Sequence, residues 1–315
     1  VLDKNGVNAK GGEDGLSFSS EVKRELAALV PEQPCCRAAE AYGLLECGHT
    51  FSSSSISINT ENPDVFNAYL SFVSSVCELN QSSFEIAVRK SGIHTIRIPG
   101  YQDRIKVLER FGHSPTDVSI RLNRANLECD SCAAAYLRGA FLSCGALADP
   151  NSDYHLEFSL PYYRLSMDIT ALIRELDFNV KSVKRKGSNV LYLKESGQIE
   201  DMLTTMGATK AALEIMGIKV VKDIRNAANR IANCESANID KTVAAAIKYS
   251  NAIRKIQSRA GLDSLPEDLR ELAAARLANP DLSLRELGEM LSVPLGRSAV
   301  NHRLNKILKI AESLD

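Results

Sequence analysis

The apolar and polar positions of this chain follow two periods, and they switch between them in the same order twice. SISINTEN at 55–62 alternates, as does YHLEFSL at 154–160, which predicts half-buried strands. Each run leads into a helical pattern, PDVFNAYLSFVSSVC in the first case and LSMDITALIRELDF in the second. A hairpin follows in both, FEIAVRKSGIHTIRIPG and NVKSVKRKGSNVLYLKES, with turn glycines Gly92 and Gly187. A short helix closes each series, RIKVLERFG and IEDMLTTMG. Ahead of each series lies an Ala-rich apolar helix, CRAAEAYG from Cys36 and CAAAYLRG from Cys132. Those cysteines are 96 residues apart, and Gly43 and Gly139 share the offset. The pattern predicts an α+β domain made of a duplicated α-β-β-α-β-β-α unit whose copies pack as a pseudo-dimer. A glycine inside a helix costs about 1 kcal/mol relative to Ala, and close approach of the two equivalent helices at Gly43 and Gly139 accounts for both.

The last third is helical throughout. Arg225, Asn229 and Asn233 recur every four residues, as do Asn226 and Arg230, and Val243, Ala246, Ser250, Ile253 and Ile256 form an apolar stripe that ends at Gly261. Two readings stay open for this stretch: a connecting helix, or a linker that donates hydrogen bonds to phosphates, Arg225 and Arg230 among them. Ser264-Leu-Pro-Glu267 and Ser283-Leu-Arg-Glu286 both read as capping boxes that open helices. A third helix starts near Ser298 and runs to Leu314, with Val300, Leu304, Ile307, Ala311 and Leu314 on one face. Three short helices, the last two joined by SVPLGR, fit a helix-turn-helix module. Opposite its apolar stripe the third helix carries Asn301, His302, Arg303, Asn305, Lys306 and Lys309, with no acid before Glu312. Asn can bond an adenine edge, Arg a guanine edge, and Lys suits phosphates. Arg297 and Ser298 stand at the helix start, where backbone amides also face an anion.

Composition narrows the class. The chain has 315 residues, 44% hydrophobic and 24% charged, enough for two cores. No apolar run approaches the length of a membrane span, so a cytoplasmic, nucleoid-associated protein without membrane contact is expected. The net charge of −1 hides a basic stretch at 219–259 and an acidic one at 263–289, so a polyanion partner is not excluded. Both predicted hairpins carry basic residues at their turns, Arg89 and Lys90 in one, Lys181, Lys184, Arg185 and Lys186 in the other; such charge can track phosphates without reading bases. The eight cysteines are expected to be reduced thiols. Cys35, Cys36, Cys129 and Cys132 precede the two equivalent helices, where a thiolate metal site is geometrically conceivable. Adjacent Cys35 and Cys36 are expected to point different ways, however, so neither metal nor cofactor is expected. The domain reading is a flexible leader at 1–16, a duplicated domain at 17–224 with halves of about 17–125 and 126–224, a linker helix at 225–261 and a DNA-binding domain at 262–315.

The helix reading LRGAFLSCG, set within duplicated α-β-β-α-β-β-α halves, resembles the LAGLIDADG homing endonuclease fold. Together with SFSSEVKREL, CCRAAE, NRIANCESANIDKT and LSLRELGEML…SAVNHRLNKI, it makes residues 17–315 similar to the WhiA family of bacterial transcription regulators. The resemblance implies binding to promoter sites in double-stranded DNA, roles in cell division, chromosome segregation and sporulation, and contacts to other regulators through the LAGLIDADG-like domain. In the nucleases, an acid just before the final glycine of each helix binds a catalytic divalent metal. Here that position is Cys144 in the second copy and Gly48 in the first, with Glu46 two residues earlier. The resemblance therefore implies a motif without nuclease activity. The alternatives are a metal-dependent endonuclease or a thiol-metal redox-sensing regulator.

Overall fold

The computed structural model describes residues 16–89 and 92–314. Lys90 and nearly all of the expected leader lie outside the described residues. The chain divides into two compact units, the second beginning at Lys222.

The first unit opens with α1 (Phe18–Ala27), capped by Ser17 and anchored by buried Val22 and Leu26. The first copy of the repeat then runs α2 (Pro34–Glu46), β1 (Thr50–Phe51), β2 (Ile56–Thr60), α3 (Pro63–Cys77), β3 (Glu85–Val88), β4 (His94–Arg97) and α4 (Tyr101–Arg110). The second copy runs α5 (Asp130–Cys144), β5 (Gly145–Leu147), β6 (Leu156–Leu160), α6 (Tyr163–Glu175), β7 (Lys181–Arg185), β8 (Ser188–Leu193) and α7 (Ser196–Met206). Both copies are α-β-β-α-β-β-α, as the pattern predicts. Local chemistry explains the clearest boundary: Asn62 Oδ1 accepts from the amides of Asp64 and Val65, and Pro63 supplies a helical φ at the first position of α3.

Each copy forms an antiparallel four-stranded sheet, in the orders β1-β2-β4-β3 and β5-β6-β8-β7. On one side of each sheet the alternating side chains enter the core: Ile56, Ile58 and Ile96 in the first, Leu156, Phe158 and Leu191 in the second. The segment joining the copies is tied to the second by two forked ion pairs, Arg121 with Asp168 and Arg124 with Glu175.

At the centre of the unit α2 and α5 lie against each other along nearly their whole length. A Cβ on Gly43 would sit 2.2 Å from the Tyr136 carbonyl oxygen, and one on Gly139 would sit 2.1 Å from that of Glu40. Neither position can carry a side chain without separating the helices, which is why two otherwise good helices tolerate glycine there.

A long helix, α8 (Thr209–Arg259), begins in the first unit, where Ala211, Ala212 and Ile215 join the core. Its last turns belong to the second unit: Tyr249, Ile253 and Ile256 are buried with residues of α9 (Glu267–Ala278), α10 (Leu284–Glu289) and α11 (Arg297–Glu312). The stretch read as a linker thus also builds a core, although Val243, expected on its apolar stripe, is 51% exposed.

In the second unit the capping box at Ser283 is formed in both directions, but the one expected at Ser264 is absent. Pro266 itself occupies the cap of α9, so Glu267 becomes the first helical residue and cannot reach back three positions. Ser264 instead closes a 3₁₀ turn, Leu262–Ser264, by donating to the Gly261 carbonyl at 2.7 Å. Arg276 is 2% exposed, and its guanidinium donates to the carbonyls of Pro280 and Leu282 at 3.2 and 2.8 Å, fixing the α9–α10 loop. The turn into α11 closes as the Leu295 amide bonds the Gly288 carbonyl, and a Cβ on Gly288 would collide with the Leu295 oxygen. Glu271 braces that turn by accepting from the amide and hydroxyl of Ser292.

Candidate nucleic-acid interface

Helix α11 buries Val300, Leu304, Ile307, Leu308 and Ala311. With 3.6 residues per turn, the face farthest from that stripe consists of Ser298, His302, Asn305, Lys306 and Lys309. All five are exposed, as is Arg297 at the first position. The helix has no acid in its first turn, and its N-terminus lies at the turn.

Two residues expected to face bases, Arg303 and Asn301, lie on the flanks of that face. Arg303 turns toward α9, where its guanidinium lies 3.6 Å from an Asp268 carboxylate oxygen and 3.3 Å from the Asp268 carbonyl. Its side chain is 29% exposed, so a guanine contact would require it to leave this ion pair. On the other flank the Tyr249 hydroxyl lies 3.0 Å from Asn301 Oδ1 and 3.1 Å from Asn305 Oδ1. The single phenolic proton serves only one of these two oxygens at a time, and both asparagines stay exposed. No local pattern announces this contact, because Tyr249 is 52 and 56 residues away in the chain.

In the first unit, the side of each sheet turned away from the core follows from the register. In the first sheet it carries Ser57, Asn59, Thr95 and Arg97, with Thr95 donating to Asn59 at 2.8 Å. In the second it carries Glu157, Ser159, Lys181, Arg185 and Tyr192. Arg97 and Tyr192 join the expected Lys181 and Arg185 on these sides, and extending the alternation into the hairpins would have found them. Arg89, Lys184, Arg185 and Lys186 are exposed, as are Arg225 and Arg230 on α8. Arg185 shares Glu157 with His155, at 3.9 and 2.9 Å. Lys184 lies on the opposite side of β7, lining a groove against α6.

The place where a catalytic metal would sit in a LAGLIDADG nuclease is a cleft of about 270 Å³ at the C-terminal ends of α2 and α5. Cys47, Gly48, His49, Asn59, Cys144 and Ser159 are among the residues that line it, and no carboxylate does among the described residues. Gly48 has no space for one: an added Cβ would lie 2.9 Å from the Ser57 carbonyl oxygen. Glu46, read as near the edge of that turn, is instead fully buried, its two oxygens accepting from Tyr42 at 2.8 Å and Tyr136 at 2.7 Å. Burial pushes its carboxyl up to about 8. Tyr42 also meets His113 Nε2 and the Asn123 amide, so every element around the acid is a hydrogen-bonded core group.

The cysteines overturn one expectation. Cys35 and Cys36 do not diverge: both sulfurs meet Cys129, at 3.7 and 3.5 Å, and Cys129 meets Cys132 at 3.4 Å. Cys129 caps α5 and inserts between the adjacent thiols at the start of α2. Hydrogen bonds from Cys132 and Cys36 pull the Cys129 thiol down to about 7, whereas burial pushes that of Cys36 up.

Comparison with known proteins gives the same two parts. Residues 133–225 match the family described as the WhiA LAGLIDADG-like domain, and residues 228–311 match the WhiA C-terminal HTH domain. A protein of Alkaliphilus metalliredigens named "Probable cell division protein WhiA" is 36% identical over 94% of this chain and 98% of its own length. A protein of the same name from Caldicellulosiruptor saccharolyticus is 36% identical over 95% of this chain and 96% of its own. The crystal structure of full-length DUF199/WhiA from Thermatoga maritima superposes with a TM-score of 0.56 at 25% identity, covering 95% of this chain and 99% of that one. A duplicated α-β-β-α-β-β-α unit with glycine-paired central helices, followed by a helix-turn-helix unit, makes the chain a member of the WhiA family.

Proposed function

We propose that this chain is a sequence-specific regulator of transcription that binds promoter sites in double-stranded DNA, acts in cell division as the names of its relatives indicate, and cuts no DNA. The observation that carries the reading is the outward face of α11, where Ser298, His302, Asn305, Lys306 and Lys309 are exposed together without an acid. A helix of this kind, set after a tight turn, suits the major groove: His and Asn can meet base edges while Lys and the helix N-terminus meet phosphates. On the polar sheet sides of the first unit Arg97, Lys181 and Arg185 are exposed and suit phosphate contacts or a second regulator, whereas Ser57 and Thr95 are buried.

Two features support the absence of cleavage. The cleft at the helix ends offers thiols, hydroxyls, the Asn59 amide and the His49 imidazole but no carboxylate among the described residues, and Mg²⁺ takes oxygen ligands with carboxylates among them. The nearby acid, Glu46, is sealed between two phenols. Genome-wide mapping of the tagged protein, followed by footprinting, tests the regulator role: discrete promoter sites with a shared sequence are expected, and uniform coverage would refute it. Incubating the footprinted fragment with Mg²⁺ or Mn²⁺ tests the second part, since site-specific nicking would show a working nuclease.

A further inference from the structure

The four sulfurs of Cys35, Cys36, Cys129 and Cys132 all lie within 4.8 Å of one another. We infer that these four cysteines bind one zinc ion, which joins the N-terminal ends of α2 and α5 and so fastens the two halves of the duplicated domain together. Tetrahedral zinc–thiolate bonds of about 2.3 Å place neighbouring sulfurs about 3.8 Å apart. The contacts observed are 3.4, 3.5, 3.7 and 3.9 Å. These distances are far longer than a disulfide bond, and all four thiols are free. They are also compact for a two-iron cluster, in which the two cysteine pairs bind separate irons.

The surroundings suit a thiolate centre. Cys35 and Cys36 fall in the first turn of α2, Cys129 is the cap of α5 and Cys132 is in its first turn, so two helix N-termini face the sulfurs. Cys36 and Cys132 are the repeat-related pair and are buried, while Cys129 is exposed and gives an ion its way in. Packing alone does not call for four thiols in mutual contact at the seam between halves. The site would add a second clamp to the one made by Gly43 and Gly139 further along the same helices.

The inference is independent of DNA binding and is tested on the full chain purified without a polyhistidine tag. Elemental analysis is expected to find one zinc per chain, and Cys129→Ser, a change at an exposed position, to lower it several-fold, while Cys234→Ser leaves it unchanged. Should Cys129→Ser fail to fold, stripping the wild-type protein with a chelator and adding Co²⁺ is expected to give the intense visible absorption of a tetrahedral cobalt tetrathiolate. Zinc well below one per chain with no such absorption would overturn the inference. So would an iron–sulfur chromophore, or a disulfide among the four cysteines in protein isolated under thiol-trapping conditions.

Discussion

Glu46 is a carboxyl group enclosed between two phenols, and its ionisation is set by the missing water rather than by a cation. Its folded value of about 8 stands above the ordinary 4.5, so between those limits the native state holds a proton that the unfolded state has released. Stability from this group is therefore complete at the acid end and falls as pH rises toward 8, by at most ~1.4 kcal/mol per pH unit. His113 acts in the opposite sense, because burial lowers it and its contribution is lost as pH falls. Denaturant titrations across this range are expected to show a flatter pH dependence in Glu46→Gln than in the wild-type protein. The slope is the readout, because Gln does not titrate and its amide keeps the one-donor, one-acceptor pattern of the neutral carboxyl. Equal slopes in the two proteins would show that Glu46 is already ionised at low pH. At the same scale, Gly139→Ala places a methyl group 2.1 Å from the Glu40 oxygen. Overpacking of this kind costs roughly 1–3 kcal/mol, and thermal melts should show a clear drop in Tm; an unchanged Tm would mean that the helices part without cost.

Among the elements, those with a strong period or a local cap are legible in the sequence, and those that depend on distant partners are not. Helix α3 follows from its apolar spacing, Asn62 and Pro63, and the order of strands and helices in both copies follows from the switch in period. The box at Ser283 forms as read, and Ser283→Ala is expected to destabilise the second unit by about 1 kcal/mol, seen as an earlier unfolding transition. An effect near zero would indicate that water replaces the cap. The box at Ser264 does not form because a proline at the cap shifts the helix start by two positions. Cys35 and Cys36 should diverge by helical geometry alone, since successive side chains are about 100° apart, but Cys129 comes from another helix and fits between them. The same limit hides Tyr249 behind Asn301 and Asn305, and Asp268 behind Arg303. On α11 the charged positions are readable from the sequence; which of them project outward depends on neighbouring helices.

For the whole molecule, a LAGLIDADG-like unit and a helix-turn-helix unit follow one another in the chain. The first has the paired helices and two sheets of that fold but thiols and a glycine at the helix ends; the second is the helix-turn-helix unit that carries α11. Its core takes Tyr249, Ile253 and Ile256 from α8, so a fragment made to carry DNA binding must begin well before residue 262. Binding of the full chain to a footprinted promoter duplex and to a scrambled duplex, titrated by fluorescence anisotropy over a range of salt concentrations, tests the central claim most directly. Lys306→Ala and Lys309→Ala are each expected to weaken both complexes and to reduce the salt slope by about 0.9 for each phosphate no longer neutralised. His302→Ala with Asn305→Ala is expected to reduce the preference for the promoter. Unchanged affinity, slope and preference across these variants would contradict α11 as the reader of DNA.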